Sequence, residues 1–377
     1  MTSFSLHADS SWQDVERIVA IGDVHGDYDN FFEVLQGAGI VNRRGNWRAG
    51  DTHLVQLGDL PDRGPDTAKI IELMMKLERQ ARRRGGMVHV LIGNHEAMNI
   101  LGDLRYVHPG EYEAFVNRNS PRLRDRYFEL VLQNRMASQP DFEPGPEFRQ
   151  QFDSEIPLGY VEHRIAWGPE GEYGSWVLEH NAIIRIGRTL FVHGGISPSV
   201  LGTGMEAINQ GVRVELSLGE AGQRSGETGL ATLEDGPLWY RGLALNDETL
   251  ESPHVDAILA HYDVDRIVIG HTPGLGTIAP RFDAKVLVID SGISDYYGGY
   301  LTSLTIEGNQ LINIQNGEHL EIPTGDADVI PYFEAAARLA PDLRALQEYL
   351  YALKNPEQVE FLRQTEEPEQ PVSGAPQ

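Results

Sequence analysis

The chain reads as an α/β protein with a parallel sheet, and three observations predict it. Arg17–Gly22, Thr52–Leu57 and Met87–Ile92 are short apolar runs with a glycine at or just past their ends, the signature of buried strands. The two stretches between them, Asp29–Gly37 and Asp66–Arg84, carry helical periodicity. Strand, helix and strand alternate, which in a compact domain requires right-handed crossovers and parallel pairing.

The elements follow in order. The second helix runs into Arg82-Arg83-Arg84-Gly85-Gly86, where basic residues suit a helix C-terminus and the glycines stop it. After Asn99 the pattern changes. Leu101–Glu179 is polar, rich in Arg, Tyr, Phe and Pro, and helical over Glu111–Ala137. It reads as a helical insertion between core strands, serving as surface cover or as a lid over the motif it follows. Strand-like runs resume at Asn181–Ile186 and Thr189–Val192, and a glycine-rich excursion, Gly202–Gly236, holds one short helical stretch. Arg266–Ile269, Val286–Ile289, Leu301–Ile306 and Gln310–Gln315 read as further strands, the last two joined by the hairpin signal Glu307-Gly308-Asn309. Asp326–Leu353 reads as one or two terminal helices, and the Pro, Glu and Gln beyond Glu366 as disorder. The chain therefore divides into a catalytic domain over 15–325, with its insertion at 101–179, and a helical segment with an acidic tail over 326–377.

Composition narrows the chemistry. With 377 residues and 41% hydrophobic residues, a large core is expected. No apolar run reaches the ~20 residues that span a bilayer, and Met1–His7 lacks the basic and apolar regions of a secretory signal, so no membrane contact and a cytoplasmic location are expected. The chain has 0 cysteines, which excludes thiolate metal sites and a cysteine nucleophile. The formal charge of −25 repels nucleic acid, and any phosphate site must be made positive locally.

Five polar motifs follow strand-like runs: Gly22-Asp23-Val24-His25-Gly26, Gly58-Asp59-Leu60-Pro61-Asp62-Arg63-Gly64, Gly93-Asn94-His95-Glu96, His193-Gly194-Gly195 and Gly270-His271-Thr272. In open α/β sheets the C-terminal strand edge is where ligands bind, so five loops can converge there. Asp23, His25 and Asp59 could hold one metal. Asp59, Asn94, His193 and His271 could hold a second, with Asp59 bridging. A bridging carboxylate brings two cations to roughly 3.5–4 Å, the spacing that serves in-line displacement at phosphorus by hydroxide formed at the metals. Oxygen and nitrogen donors suit manganese, iron or zinc. His95, beside Asn94, is placed to protonate the leaving oxygen as general acid, and Asp62 to fix its tautomer. Arg63 offers a planar fork for phosphoryl oxygens, Arg241 in Leu238-Trp239-Tyr240-Arg241-Gly242 a second, and the Asn94 amide a further contact. Glu96 reads as an orienting group. Asp290 and Tyr297 are equally readable as site or turn residues. Of the other histidines only His108 and His163, in the insertion, could face the site.

These motifs resemble those of the calcineurin-like metallophosphoesterases, in particular the phosphoprotein phosphatase type (GDxHG, GDxxDRG, GNHE, HGG, GH). Gly93–Asn99, the helical insertion and Gly270-His271-Thr272-Pro273 are most similar to the bacterial Shewanella-like protein phosphatases. The resemblance implies a four-layer α/β/β/α sandwich of two mixed sheets with a dimetal site of two divalent ions at the sheet edge, carried by the residues named above. It implies a phosphomonoesterase acting on phosphorylated proteins or peptides, at phosphotyrosine or phosphoserine/threonine. The insertion is longer than in eukaryotic serine/threonine phosphatases, and Asp290–Gly299 stands where those carry a toxin-binding segment. Symmetrical dinucleoside tetraphosphatases have closely similar motifs and form the alternative enzyme reading. A binding module that lost catalysis is disfavoured, because no ligand and no acid is missing.

Overall fold

The computed structural model describes residues 9–225, 229–325 and 327–356. The chain passes through β1 (Ser11–Trp12), β2 (Arg17–Ile21), α1 (Tyr28–Gly37), β3 (His53–Gln56), α2 (Thr67–Arg82) and β4 (Met87–Val90). Helix α3 (Asn94–Leu101) leads into the insertion, which is helical almost throughout: α4 (Pro109–Ala114), α5 (Ser120–Ser138), α6 (Pro146–Glu155), α7 (Tyr160–Trp167) and α8 (Glu172–Leu178). The second half comprises β5 (Ile183–Ile186), β6 (Thr189–Val192), α9 (Met205–Ser217), α10 (Gly219–Ser225), α11 (Gly242–Leu245), α12 (Glu248–Tyr262), β7 (Arg266–Ile269), β8 (Ala279–Arg281) and β9 (Val286–Val288). The chain closes with β10 (Thr302–Glu307), β11 (Gln310–Gln315), β12 (Glu318–Glu321), α13 (Ile330–Leu339) and α14 (Arg344–Lys354).

The strands form two six-stranded sheets, in the orders β12-β11-β10-β2-β3-β4 and β1-β5-β6-β7-β9-β8. Both are mixed. β2, β3 and β4 run parallel while β10 is antiparallel to β2; β6, β7 and β9 run parallel while β5 and β8 are antiparallel to their neighbours β6 and β9. Side chains alternate between the faces of each strand, and the three cores follow from that. Ile18, Ala20, Val55, Phe191, Val268 and Leu287 point between the sheets. Val19, Ile21, Leu54 and Val90 turn outward under α1, α2 and the insertion helices. Leu190, Val192, Ile267 and Ile269 turn outward under α9 and α12. The result is the four-layer α/β/β/α arrangement. Truncating a residue such as the fully buried Phe191 to alanine would cost about 3–5 kcal/mol.

Register positions the site. Ile21 pairs with Gln56 and Gln56 with Val90, so these parallel strands end level; Val192 and Ile269 end level in the other sheet. All five motif loops therefore leave from one edge.

The structure departs from the sequence reading in four places. The helix expected over Glu111–Ala137 is two, α4 and α5, parted where Pro121 fits only the first turn of α5. The excursion at 202–236 contains two helices, α9 and α10, rather than one short stretch. Its Ile208, Val212 and Leu216 recur every fourth residue and are fully buried, and the glycines that masked this are packing sites: a Cβ on Gly211 would lie 2.8 Å from Leu230 Cδ1. Helix α12 fills a stretch to which the sequence reading gave no element; it contains Pro253, which stands early enough for the Asp247 cap, accepting from Thr249 and Leu250 N–H, to hold the first turn. The edge strands β1, β8 and β12 are two to four residues long, too short for periodicity to register. The terminal helices pack into the inter-sheet core through Tyr332, Phe333, Leu346 and Leu350. Tyr332 Oη donates to the Ile278 carbonyl at 2.6 Å. The stretch beyond Glu366 lies outside the described residues. Among the described residues no helix is long and apolar enough to cross a membrane.

Candidate active site

The motif loops are held by their own backbones. Val24 and His25 N–H both donate to the Asp59 carbonyl at 3.0 Å, and Gly26 N–H to the Leu60 carbonyl at 2.8 Å. Gly26 and Gly64 press together so closely that a Cβ on either would fall within 2.4–2.6 Å of the other's carbonyl oxygen; glycine is required at both. Five site residues that are not glycine sit in the left-handed region: His25 (φ 48°), Asp59 (57°), Asp62 (74°), Arg63 (68°) and His271 (64°). Such backbones persist only where the surroundings impose them, and they cluster at functional sites.

The donors converge on Asp59. Its Oδ2 lies 3.3 Å from His193 Nε2, 3.8 Å from His25 Nε2 and 3.9 Å from His95 Nε2. Each histidine is aimed by its other nitrogen: His193 Nδ1 donates to the Leu57 carbonyl at 2.7 Å and His25 Nδ1 to that of Pro61 at 3.3 Å. His271 Nε2 donates to the Trp239 carbonyl at 3.1 Å, which leaves Nδ1 for the site. Asn94 Oδ1 lies 3.0 Å from His193 Nε2. His25, Asp59 and His95 form one group of converging donor atoms, and Asp59, His193 and His271 another. Asp59 belongs to both. In the first group His95 differs from the neutral imidazoles, since its Nδ1 is 2.5 Å from Asp62 Oδ2 and the two carboxylates Asp59 and Asp62 favour its protonated form. Asp23 stands beside this group: its Oδ2 is 3.9 Å from His25 Nε2, and it accepts the His271 N–H at 3.1 Å.

Electrostatics mark the same place. Burial, then the neighbouring carboxylates Asp290 and Asp59, push Asp23 well above the usual carboxylate range, and Asp290 is raised by burial to about 7. Asp290 Oδ2 is buried without a hydrogen-bond partner. Burial would raise Asp59 too, but His193, His95 and His25 outweigh it and hold it low. Burial, with a neighbouring histidine adding to it, lowers His25 to about 3 and His271 to about 2, so both are neutral donors. A cluster of buried acids and neutral imidazoles, sulfur-free, with one orphaned carboxylate oxygen, fits divalent cations.

Around the donors stand the remaining residues. His95 is lowered by burial but raised more by Asp59 and Asp62, and ends above its ordinary value. Asp62 Oδ1 accepts from Asn99 Nδ2 at 3.0 Å. Glu96 takes three backbone N–H groups, those of Asp59, Leu60 and Gly93, at 2.7–2.9 Å. The Arg63 guanidinium is stacked between two tyrosines, 3.8 Å from the Tyr106 ring centroid and 4.8 Å from that of Tyr296. Arg241 Nη1 donates to the His271 carbonyl at 2.7 Å and to Thr272 Oγ1 at 3.1 Å, which ties it to the last motif loop. The Tyr297 ring is 5.1 Å from that of His25.

A family model described as calcineurin-like phosphoesterase matches residues 16–275. The chain belongs to the calcineurin-like phosphoesterases. It is accordingly a hydrolase of phosphoesters, and the family's dimetal centre corresponds to the donor cluster around Asp59. This phosphoesterase is 35% identical over 307 residues to an uncharacterized protein of Schizosaccharomyces pombe, covering 79% of each chain. It is 30% identical over 287 residues to Shewanella-like protein phosphatase 2 of Arabidopsis thaliana, covering 74% of this chain and 72% of the relative. Among solved structures, the cold-active protein-tyrosine phosphatase of a psychrophilic Shewanella species superposes with a TM-score of 0.63 at 29% identity, over 83% of this chain and 82% of its own.

The structure brings together all the expected site residues: Asp23, His25, Asp59, Asp62, Arg63, Asn94, His95, His193, Arg241 and His271. It adds Asp290, which ends the run Val286–Ile289 as Asp59 and Asp23 end theirs; that position was the available signal. His108 and His163 do not join the donors. His108 Nδ1 accepts the Gly110 N–H at 3.0 Å and caps α4, and His163 is buried beside Tyr112, Phe115 and Trp167. Glu111 and Tyr106 carry no motif that would have marked them; Asn99 and Tyr296 lie in stretches already singled out, Gly93–Asn99 and Asp290–Gly299, without a role assigned.

Proposed function

We propose that this phosphoesterase is a dimetal phosphoprotein phosphatase that hydrolyses phosphomonoesters on protein side chains. The observation that carries the reading is the single Asp59 oxygen faced by His193, His25 and His95, next to the 2.5 Å His95–Asp62 pair. Asp23, His25 and Asp59, with Asp290 alongside, would hold one cation; Asp59, Asn94, His193 and His271 would hold the other. Manganese, iron or zinc suit these donors. Bound there, the cations neutralise phosphoryl oxygens and make water nucleophilic at neutral pH. The chain's own residues do the rest. Asp62 fixes the proton on His95 Nδ1 and favours the imidazolium, and His95 Nε2 gives its proton to the leaving oxygen. Arg63 and Arg241 take the equatorial oxygens, with the Arg63 fork held flat by its two tyrosines.

The named relatives, a Shewanella-like protein phosphatase and a protein-tyrosine phosphatase, support phosphoprotein substrates, and the aromatic collar of Tyr106, Tyr296 and Tyr297 supports an aromatic phosphoester. The test is hydrolysis of matched phosphotyrosine and phosphoserine/threonine peptides, with diadenosine tetraphosphate alongside, after reconstitution with manganese. Preference for phosphotyrosine is the expected result. Preference for the dinucleotide overturns the substrate class and leaves the dimetal chemistry standing. His95→Asn is expected to lower kcat by about 10²–10⁴-fold while bound manganese is unchanged; full activity would remove His95 from its role.

A further inference from the structure

We propose that Glu111, on the insertion helix α4, is a positioning residue for the catalytic dyad: by accepting the Asp62 backbone N–H it holds the Asp62 carboxylate against His95. The proposal rests on the reading of His95 as general acid.

The geometry is direct. Asp62 N donates to Glu111 Oε1 at 2.9 Å, and Glu111 is 2% exposed. Asp62 itself has no exposed surface, so without Glu111 its N–H would be a buried orphan. Its φ of 74°, followed by Arg63 at 68°, is a conformation that surrounding contacts must impose. The hydrogen bond fixes the backbone at the residue whose two carboxylate oxygens are engaged by His95 Nδ1 and Asn99 Nδ2. Releasing the amide releases the carboxylate.

The insertion is built to present Glu111 there. A Cβ on Gly159 would lie 1.9 Å from the Tyr112 carbonyl, so only glycine lets the start of α7 approach α4. That approach puts His163 Nε2 3.8 Å from Glu111 Oε2, and both atoms are buried, with the Thr67 hydroxyl also beside the Glu111 carboxyl. Two further contacts fasten the insertion to the same machinery. Arg63 N–H donates to the Tyr106 carbonyl at 3.0 Å, and Arg164 Nη1 to the Asn99 carbonyl at 2.5 Å, on the helix that carries Asn94 and His95. Burial and the neighbouring Asp62 raise the Glu111 carboxyl well above its ordinary range. A neutral carboxyl can accept this N–H without setting a second negative charge beside Asp62.

A general acid matters only when the leaving group needs a proton, and that separates positioning from mere folding. Phenyl phosphate leaves as a strongly basic phenolate unless protonated; 2,4-dinitrophenyl phosphate leaves unaided. Manganese-reconstituted Glu111→Ala is expected to lose about 10- to 100-fold in kcat on phenyl phosphate, with kcat on dinitrophenyl phosphate, both KM values and bound manganese nearly unchanged. Glu111→Gln, which keeps an acceptor oxygen and can turn its amide to His163, is expected to restore the phenyl phosphate rate. Glu111→Asp withdraws the acceptor while keeping a carboxyl, and serves if the alanine variant does not fold; its expected loss has the same leaving-group dependence. Equal losses on both esters, loss of manganese, or a glutamine variant as impaired as alanine would overturn the proposal. His95→Asn run in parallel separates the two readings. If it lacks leaving-group dependence, the acid assignment itself fails; if it shows the dependence and the Glu111 variants do not, only the positioning role fails.

Discussion

Two buried glutamates, Glu96 and Glu111, hold opposite ends of one loop, Gly58–Gly64, and they come from different kinds of sequence. Glu96 lies in a motif on the core helix α3 and takes the N–H groups of Asp59, Leu60 and Gly93 with both its oxygens. Glu111 lies in an insertion whose longest helix, α5, buries only Ser120, and it takes the Asp62 N–H with one oxygen. The physical service is the same: a carboxyl group satisfies buried main-chain donors around the left-handed residues Asp59 and Asp62. What differs is the function each end carries. The Glu96 end sets Asp59 among the proposed metal donors, and the Glu111 end sets Asp62 behind the proposed acid. An insertion that reads as a surface cover thus reaches the His95–Asp62 pair through one side chain.

The comparison can be broken by conservative substitution. Glu96→Gln must turn an amide group toward at least one of three backbone N–H donors. It is expected to lower kcat about 10- to 100-fold and to lower bound manganese as well, measured by metal analysis after desalting. If Glu96→Gln keeps full manganese while Glu111→Gln loses it, the division of labour between the two ends is wrong.

Acid titration sharpens the contrast on the insertion side. Burial, with Arg164 beside it, lowers His163 to about 3 from its ordinary 6.5. Between those values the unfolded chain binds a proton that the folded state refuses, so His163 adds stability that is present above about pH 6.5 and is lost as pH falls toward 3. The slope reaches roughly 1 kcal/mol per pH unit in that window. Glu111, raised by burial and by Asp62, acts in the opposite sense, since its contribution declines as pH rises above the ordinary carboxylate range. His163→Leu is expected to flatten the acid side of a Tm-against-pH curve relative to the unmodified protein. Parallel curves for the two would show that His163 does not titrate as its burial requires.

The smallest effect belongs to the collar. Tyr296 is 60% exposed and its hydroxyl accepts from Arg63 Nη1 at 3.2 Å, so Tyr296→Ala removes a cation–π contact of about 0.5–1 kcal/mol. A rise of a few-fold in KM for a phosphopeptide, with kcat kept, is expected; an unchanged KM would mean that Tyr106 alone orients the Arg63 fork.

Much of the site is legible in the sequence because its residues stand at strand ends. Short apolar runs closing near glycine put Asp23, Asp59, Asn94, His193 and His271 on one edge, and position within the motifs sets His95 and Asp62 apart from the expected donors. Asp290 carries the same strand-end signal and is readable only as an even choice, since a lone acid before Ser-Gly also describes an ordinary turn. Glu111 carries no signal. It lies 49 residues from Asp62 in the chain, in a helix whose pattern describes a solvated cover. Helices α9 and α12 are obscured by Gly211 and Pro253, residues whose local preference is overruled by packing and capping.

The sequence by itself determined the α/β class and named the residues that converge, because backbone periodicity and side-chain chemistry are local properties. Only the tertiary structure decided that Asp23 is paired with Asp290, that Arg63 is clasped between Tyr106 and Tyr296, and that an insertion glutamate stands behind the dyad. Those depend on which distant segments pack together, and burial then determines which polar groups must find one another.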